Sequence, residues 1–273
     1  MRKIAHISDL HFGRNDPLVT RALLEDLAEQ QPHLVAVSGD LTQRARHHEF
    51  AAARAFLDRI AAPVIAVPGN HDVPLYNFAR RAFTPLKRFR QYISAEQHPF
   101  FGDDELAVLG INTARAATLS NGRISHDQMA AIVSIFGQVP NARFRVLITH
   151  HPLMPPPDAP DRDVVGRVDP ALQAIAAAGV ELLLTGHYHR AFTGDIASYH
   201  LEAKRSILVS QAGTAISTRR RNELNSYNLI SIDQPEVSCS TRIWDDGRFS
   251  RSTTQHYALI GRHWLPRDTG PSL

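Results

Sequence analysis

A chain of 273 residues with 43% hydrophobic and 21% charged residues can bury a substantial core, which excludes wholesale disorder. The single cysteine, Cys239, excludes an internal disulfide and a thiolate-built zinc site, so a metal would have to be held by His, Asp, Glu or Asn. A net charge of +3 is too small to argue for nucleic acid, and no apolar run reaches the length of a membrane span. The apolar stretch behind Arg2 and Lys3 stops at Asp9, too early for a secretory signal, so a cytoplasmic location is the default expectation.

Lys3 to Ser8 reads as a buried strand, and Asp16 with Pro17 then starts an amphipathic helix to about Gln30, an N-cap followed by proline at the first helical position. A second buried strand is read over Leu34 to Val37, an alanine-rich helix over Glu49 to Ile60, and a third strand over Val64 to Val67. Ser125 with Gln128 forms a capping box ahead of a helix over Met129 to Phe136, and Phe144 to Thr149 is the next strand. Pro155, Pro156, Pro157 and Pro160, mixed with Asp158, Asp161 and Asp163, form a stiff loop that is either a plain surface connection or a pocket rim. Asp169 with Pro170 repeats the helix-start device, Gly179 supplies the stop, and Leu182 to Thr185 is the fifth strand.

Continuous apolarity in these strands suits burial on both faces, and their alternation with helices implies an α/β domain with a largely parallel sheet to about residue 190. Beyond it, Ile207 to Ser210, Tyr227 to Ile232, Ser238 to Trp244 and Thr253 to Leu259 read as strands with little helix between them.

Each of the five early strands delivers polar residues at its carboxyl end: Ser8-Asp9-Leu10-His11, Gly39-Asp40, Gly69-Asn70-His71-Asp72, His150-His151 and Gly186-His187-Tyr188-His189. In open α/β sheets, ligands bind in the crevice beyond the carboxyl ends of the strands. Carboxylate, imidazole and amide oxygen together suit manganese, iron or zinc better than magnesium or calcium. Seven candidates are too many for one tetrahedral ion but fit two ions that share a bridging carboxylate. Adjacent residues at a strand end point to opposite sides, so one of His150 and His151 reaches the metals, and spacing does not say which. Most of the other histidines, such as His33, His98, His126, His256 and His263, follow no pattern.

On these motifs the chain resembles the calcineurin-like metallophosphoesterases, whose pattern is Asp-x-His, Gly-Asp, Gly-Asn-His-Asp/Glu, His and Gly-His-x-His, complete here across residues 9 to 189. The resemblance implies an α/β fold, a four-layered αββα sandwich of two mixed sheets flanked by helices. Residues 1–273 would then form a single domain, with 1–190 the ligand-bearing α/β part and 191–273 a mainly β part completing the second sheet. It also implies two divalent or mixed-valence ions (Mn, Fe or Zn), one held by Asp9, His11 and His189, the other by Asn70, His150 and His187, with Asp40 bridging. His150 is thereby preferred over His151, and His71 becomes the catalytic histidine. The wording Ser-Asp-Leu-His-Phe-Gly, Gly-Asp-Leu-Thr, Pro-Gly-Asn-His-Asp and Thr-His-His-Pro is most similar to bacterial cyclic nucleotide and glycerophosphodiester phosphodiesterases. Relatives often pair, so a homo-oligomer is a further expectation.

Such a site would hydrolyse a small phosphodiester by in-line attack of a hydroxide bridging the two ions. Two divalent ions, two carboxylates and that hydroxide leave a charge of about +1 facing an anionic ester. His71 would protonate the departing oxygen, and Asp72 either orients its imidazole or serves a turn. A phosphomonoesterase would use the same ligands. A nuclease is disfavoured because neither a coiled coil nor a broad basic face follows residue 189, and a non-catalytic scaffold because no ligand is missing. Arg219, Arg220 and Arg221 are either a solvated loop or a phosphate contact, while Tyr76, Phe78, Tyr188 and Arg190 are rim residues or ordinary packing. Asn112 carries no assigned function.

Overall fold

Apolar runs without alternation need cover on both faces. In the computed structural model, which describes residues 1–118, 120–156, 159–198, 205–220 and 223–267, that cover comes from two sheets packed face to face with helices outside them. The chain runs β1 (Arg2–Ile7), α1 (Pro17–Gln30), β2 (Leu34–Val37), α2 (His47–Leu57) and β3 (Val64–Ala66), then a 3₁₀ turn at Asn70–Asp72, α3 (Phe78–Phe83) and α4 (Lys87–Tyr92). It continues through β4 (Phe100–Gly102), β5 (Leu106–Gly110), α5 (His126–Gly137), β6 (Phe144–Ile148), α6 (Val168–Ala177), β7 (Leu182–Thr185), β8 (Phe192–Asp195) and β9 (Leu208–Gln211). It ends in the meander β10 (Ser226–Asp233), β11 (Glu236–Asp245), β12 (Arg248–Ile260) and β13 (His263–Arg267).

The seven-stranded sheet has the order β13-β12-β11-β10-β1-β2-β3, and the six-stranded sheet β4-β5-β6-β7-β9-β8. β1, β2 and β3 are parallel, and β10 joins β1 antiparallel. β5, β6, β7 and β9 are parallel, with β4 and β8 antiparallel at the two edges. Period-two alternation distributes each strand between two cores. Ile4, Leu34, Ala36, Val108, Val146, Ile148 and Leu184 meet between the sheets. Ala5, Ile7, Val35 and Val37 point outward against Leu23, Leu27, Phe50 and Phe56 of α1 and α2. On the far side, Ala107, Leu109, Leu147 and Leu183 pack against Ile132, Phe136 and Ile175 of α5 and α6. The result is the four-layered αββα sandwich, in two mixed sheets.

The parallel sheet inferred from alternating strands and helices is in fact divided, since β1 to β3 lie in one sheet and β6 and β7 in the other. A run buried on both faces carries no mark of which neighbour it pairs with. The last third does not simply complete a second sheet: β8 and β9 close the six-stranded one, while β10 to β13 extend the sheet that begins with β1. α3, α4, β4 and β5 are not marked in the sequence, all four being only three to six residues long. No helix among the described residues is long and apolar enough to cross a membrane.

The local start signals divide by their chemistry. Asp16 caps α1, its carboxylate accepting from Leu18 and Val19 N–H at 2.9 and 3.4 Å. Ser125 and Gln128 exchange hydrogen bonds of 3.2 and 2.9 Å at the start of α5, a complete capping box. Asp169 is not an N-cap: α6 starts one residue earlier, behind a left-handed Arg167, and Asp169 lies in the first turn. Pro170 is tolerated there because the first N–H groups of a helix have no intrahelical acceptor.

α1 is tied to the sheet by a buried charged cluster. Asp26 accepts from Arg242 Nε and Nη2 at 2.7 and 2.6 Å and from Tyr227 Oη at 2.5 Å. Asp26→Ala strands the Arg242 guanidinium out of water and is expected to cost about 3–5 kcal/mol in a denaturant titration. The double change Asp26→Leu, Arg242→Met should recover most of that loss, because it removes both charges together.

Candidate metal centre

The carboxyl ends of β1, β2, β3, β6 and β7 bring all seven predicted ligands into one cluster, in which Asp9, His11, Asp40, His150 and His189 are buried and Asn70 and His187 half-buried. Five of them, Asp9, His11, Asp40, His187 and His189, have positive φ between 46 and 75°, a region that side-chain-bearing residues seldom occupy. Each such conformation costs on the order of 1–3 kcal/mol and persists where neighbouring contacts enforce it. Here backbone bonds between the loops do so, Asp9 N–H donating to the Gly39 carbonyl at 3.1 Å and His11 N–H to that of Asp40 at 2.9 Å. Glycine is needed at Gly69 and Gly186 for close approach. A Cβ on Gly69 would lie 2.1 Å from Asp40 Oδ1, and one on Gly186 2.0 Å from Ser8 Oγ and 2.8 Å from Asp9 Oδ2.

The donor atoms form two groups. In the first, Asp9 Oδ1 lies 3.2 Å from His189 Nε2 and 3.6 Å from His11 Nε2, the two imidazole nitrogens are 3.3 Å apart, and Asp40 Oδ2 is 3.8 Å from His11 Nε2. In the second, Asn70 Oδ1 lies 3.1 Å from His150 Nε2 and 3.2 Å from His187 Nδ1, those nitrogens are 3.3 Å apart, and Asp40 Oδ1 is 3.5 Å from His150 Nε2. The two oxygens of Asp40 thus face different groups.

These separations suit a cation at the centre of each group, because ligands about 2.1 Å from one ion lie roughly 3.0–3.4 Å from each other. Asp9 Oδ1 is buried without a hydrogen-bond partner, while Oδ2 accepts from Ser8 Oγ at 2.7 Å and from His187 N–H at 3.0 Å. His150 and His189 donate Nδ1–H to the carbonyls of Ser38 and Arg219 at 2.8 and 2.9 Å, which fixes the tautomer and turns the Nε2 lone pair inward. Burial and then the nearby His150 push His187 down to about 3, so its imidazole is neutral. Burial opposes ionisation of Asp9, yet His189, His11 and His150 outweigh it and hold that carboxyl well below its ordinary value. A neutral His187 and an ionised Asp9 are forms that bind metal, while Asp40 and Asp9 raise the pKa of His150 against its burial, as they would favour any cation held there. The donor set therefore fits a pair of cations.

His150 and His151 divide as adjacent strand-end residues should. His151 is spent on structure, its Nδ1 2.7 Å from Thr113 Oγ1 and its Nε2 2.8 Å from the Ser120 carbonyl, although it lies near His150 and His187. Asp72 does not orient His71. Its carboxylate instead accepts from the N–H groups of Leu41, Thr42 and Gly69 and from Thr42 Oγ1 at 2.9–3.1 Å, stitching the loop after β2 to that after β3. Burial and the neighbouring Asp40 push it up to about 6, against the pull of those donors. His71 is oriented by the Gln43 carbonyl, 3.0 Å from Nδ1, and its backbone N–H donates to Asp40 Oδ1 at 2.8 Å.

A cleft of about 410 Å³ opens over the cluster, lined by Asp40, Asn70, His71, His187 and His189. A larger one of about 1010 Å³, bordered by residues of α4 and α5, contains none of the seven and is not the site of this chemistry. Arg219 contributes a contact that sequence could not assign, its Nη1 3.0 Å from His71 Nε2; Arg220 is exposed, and Arg221 lies outside the described residues. Of the proline loop, Arg162 and Asp163 line the cleft, so part of it is rim; Pro157 and Asp158 lie outside the described residues. Tyr188 is buried with its hydroxyl on the Asp163 carbonyl, Arg190 pairs with Glu223 at 3.0 Å, and Tyr76 and Phe78 are exposed. Asn112 caps its own turn through Ala114 N–H.

A probable cyclic nucleotide phosphodiesterase of Synechococcus sp. is 25% identical over 205 residues, 69% of this chain and 74% of that protein. A glycerophosphodiester phosphodiesterase of Enterobacter lignolyticus is 36% identical over 80 residues, covering 25% of this chain and 29% of its own length. A dimetal phosphatase of Danio rerio superposes with a TM-score of 0.68 at 10% identity, covering 93% of this chain and 98% of that one, a likeness of fold. The family model for the calcineurin-like phosphoesterases matches residues 2–191, well over half of the sequence and the whole stretch that carries the donor cluster, and the chain belongs to that family.

Proposed function

We propose that this chain is a dinuclear-metal phosphodiesterase, a single domain over residues 1–273, that hydrolyses a small phosphodiester, a cyclic nucleotide first and a glycerophosphodiester second. The observation that carries this reading is the division of Asp40, one carboxylate oxygen toward each donor group. Asp9, His11 and His189 would hold one ion and Asn70, His150 and His187 the other, with Asp40 shared. The names of the Synechococcus and Enterobacter relatives support a diester substrate. Manganese, iron or zinc all match this donor set.

A bound pair of such ions supplies Lewis acidity, bringing the ionisation of water from about 15.7 down toward 7 and offsetting charge on the nonbridging oxygens. The protein's own part is to position and to move a proton. Water ionised in the cleft attacks phosphorus in line, opposite the leaving oxygen. His71 stands at the cleft with Nδ1–H committed to the Gln43 carbonyl, which leaves Nε2 as the nitrogen that delivers a proton to the departing alkoxide. Burial lowers the pKa of His71, with His11 and Arg219 adding to it and Asp40 and the Gln43 carbonyl opposing it.

Metal analysis of the purified chain should find about two ions per chain. Turnover in defined manganese should be higher on bis-(4-nitrophenyl) phosphate than on 4-nitrophenyl phosphate, with a screen of 3′,5′- and 2′,3′-cyclic nucleotides and glycerophosphodiesters naming the substrate. The opposite order would make it a phosphomonoesterase, and no bound metal would leave only a scaffold. Asp40→Ala should lose both ions together, read directly as metal content, because one side chain serves both groups. His71→Ala should keep the metals yet lower kcat on an alkyl diester by about 10²- to 10⁴-fold. An unchanged kcat would remove His71 from the mechanism.

A further inference from the structure

The cleft over the donor cluster carries more positive charge than a simple diester requires. Outside the predicted ligands, three guanidinium groups line it, those of Arg44, Arg162 and Arg219, against a single carboxylate, Asp163. Among the described residues none of the three arginines has an ion-pair partner within 4.0 Å. Two lie over aromatic rings, Arg162 with its guanidinium carbon 5.5 Å from the centre of the Tyr188 ring and Arg44 5.4 Å from that of Tyr76. A cation–π contact holds a guanidinium near an aromatic face without neutralising its charge, which stays available to an anion. Tyr188 is itself fixed, buried and bonded through its hydroxyl to the Asp163 carbonyl. The Arg219 guanidinium has one polar side-chain partner among the described residues, His71 Nε2 at 3.0 Å, a contact that an anion would outcompete.

Cations gathered around one cleft repel each other, and an anion between them relieves that repulsion. A phosphodiester brings one negative charge, which the metal centre alone would match. We propose that Arg44, Arg162 and Arg219 recognise a second phosphate on the substrate, so that the preferred ester is a phosphodiester also bearing a phosphate monoester group. This inference rests on the phosphodiesterase reading and specifies its substrate class. Arginine suits the task because its planar fork binds two phosphate oxygens at once, which a lysine ammonium does not.

The test is a matched pair of substrates, thymidine 5′-(4-nitrophenyl phosphate) with a 3′-hydroxyl or with a 3′-phosphate, hydrolysed by the manganese-loaded chain and read as nitrophenolate release. The 3′-phosphate should raise kcat/KM by about 10-fold or more, the reach of one or two charge-assisted contacts. Arg162→Ala and Arg44→Ala should bring the ratio of the two toward one, and Arg162→Lys should keep part of it. A purely structural role for these arginines would lower both substrates equally and leave the ratio unchanged. Calorimetry on the same loaded chain gives a readout independent of turnover, thymidine 3′,5′-bisphosphate binding at least 10-fold tighter than thymidine 5′-phosphate, and less so in the variants. Equal turnover of the pair by the unaltered chain, or equal affinity for the two nucleotides, overturns the inference and leaves the phosphodiesterase reading standing. Failure of that reading is a different result, a loaded chain inert toward every diester while the calorimetric preference is still measured.

Discussion

Two carboxylates, Asp9 and Asp40, are buried side by side at the ends of adjacent parallel strands, fully out of water. Like charges removed from solvent are costly unless positive or donor groups surround them, and much of the local structure answers that demand. Backbone N–H groups from His71 and His187, the Ser8 hydroxyl and the imidazoles of His11, His150 and His189 all turn toward these two side chains. Even so, Asp9 Oδ1 is left without a hydrogen-bond donor. A protein interior rarely tolerates a bare buried carboxylate oxygen, and one ringed by imidazole lone pairs is arranged for cations.

That demand explains the architecture around it. The loops after β1 and β2 run in left-handed backbone conformations, and those after β3 and β7 approach so closely that Gly69 and Gly186 have no room for a Cβ. Asp72 then locks the loops after β2 and β3 to each other through four donors. The sandwich holds this strained assembly because its strand ends issue from two sheets with one continuous core between them. The side chains from Asp9 to His189, and the Ser38 and Arg219 carbonyls that orient His150 and His189, are positioned by elements far apart in sequence, so the site is a product of the whole layered packing.

The rim obeys a different rule from the floor. At the floor, charges of opposite sign are matched within hydrogen-bonding or ion-pair distance. At the rim, Arg44, Arg162 and Arg219 share the cleft with a single carboxylate, and the first two lie over aromatic rings instead of beside a counter-charge. A surface that leaves guanidinium groups unmatched beside a cation-binding floor attracts polyanions, which is an electrostatic property of the cleft as a whole.

That these strand ends gather their polar residues at one place was legible in the sequence, because each cluster follows a buried strand within a few residues and chain direction puts strand ends where ligands bind. The helix starts at Asp16 and Ser125 were legible for the same reason, being settled by side chains within three residues of the bonds they make. What residues farther apart decide was not legible. Sequence could not divide the parallel strands between two sheets, since a segment apolar on both faces carries no label for its neighbour. Nor could it choose between His150 and His151 without a family pattern, or find that Asp72 serves the backbone of another loop while the Gln43 carbonyl orients His71. Arg219 sits 148 residues from the histidine it touches. The sequence by itself determined which chemical groups this protein gathers and at which strand ends; only the tertiary structure decided which atoms face one another, because orientation across a gap depends on packing between elements and not on the order of residues within one.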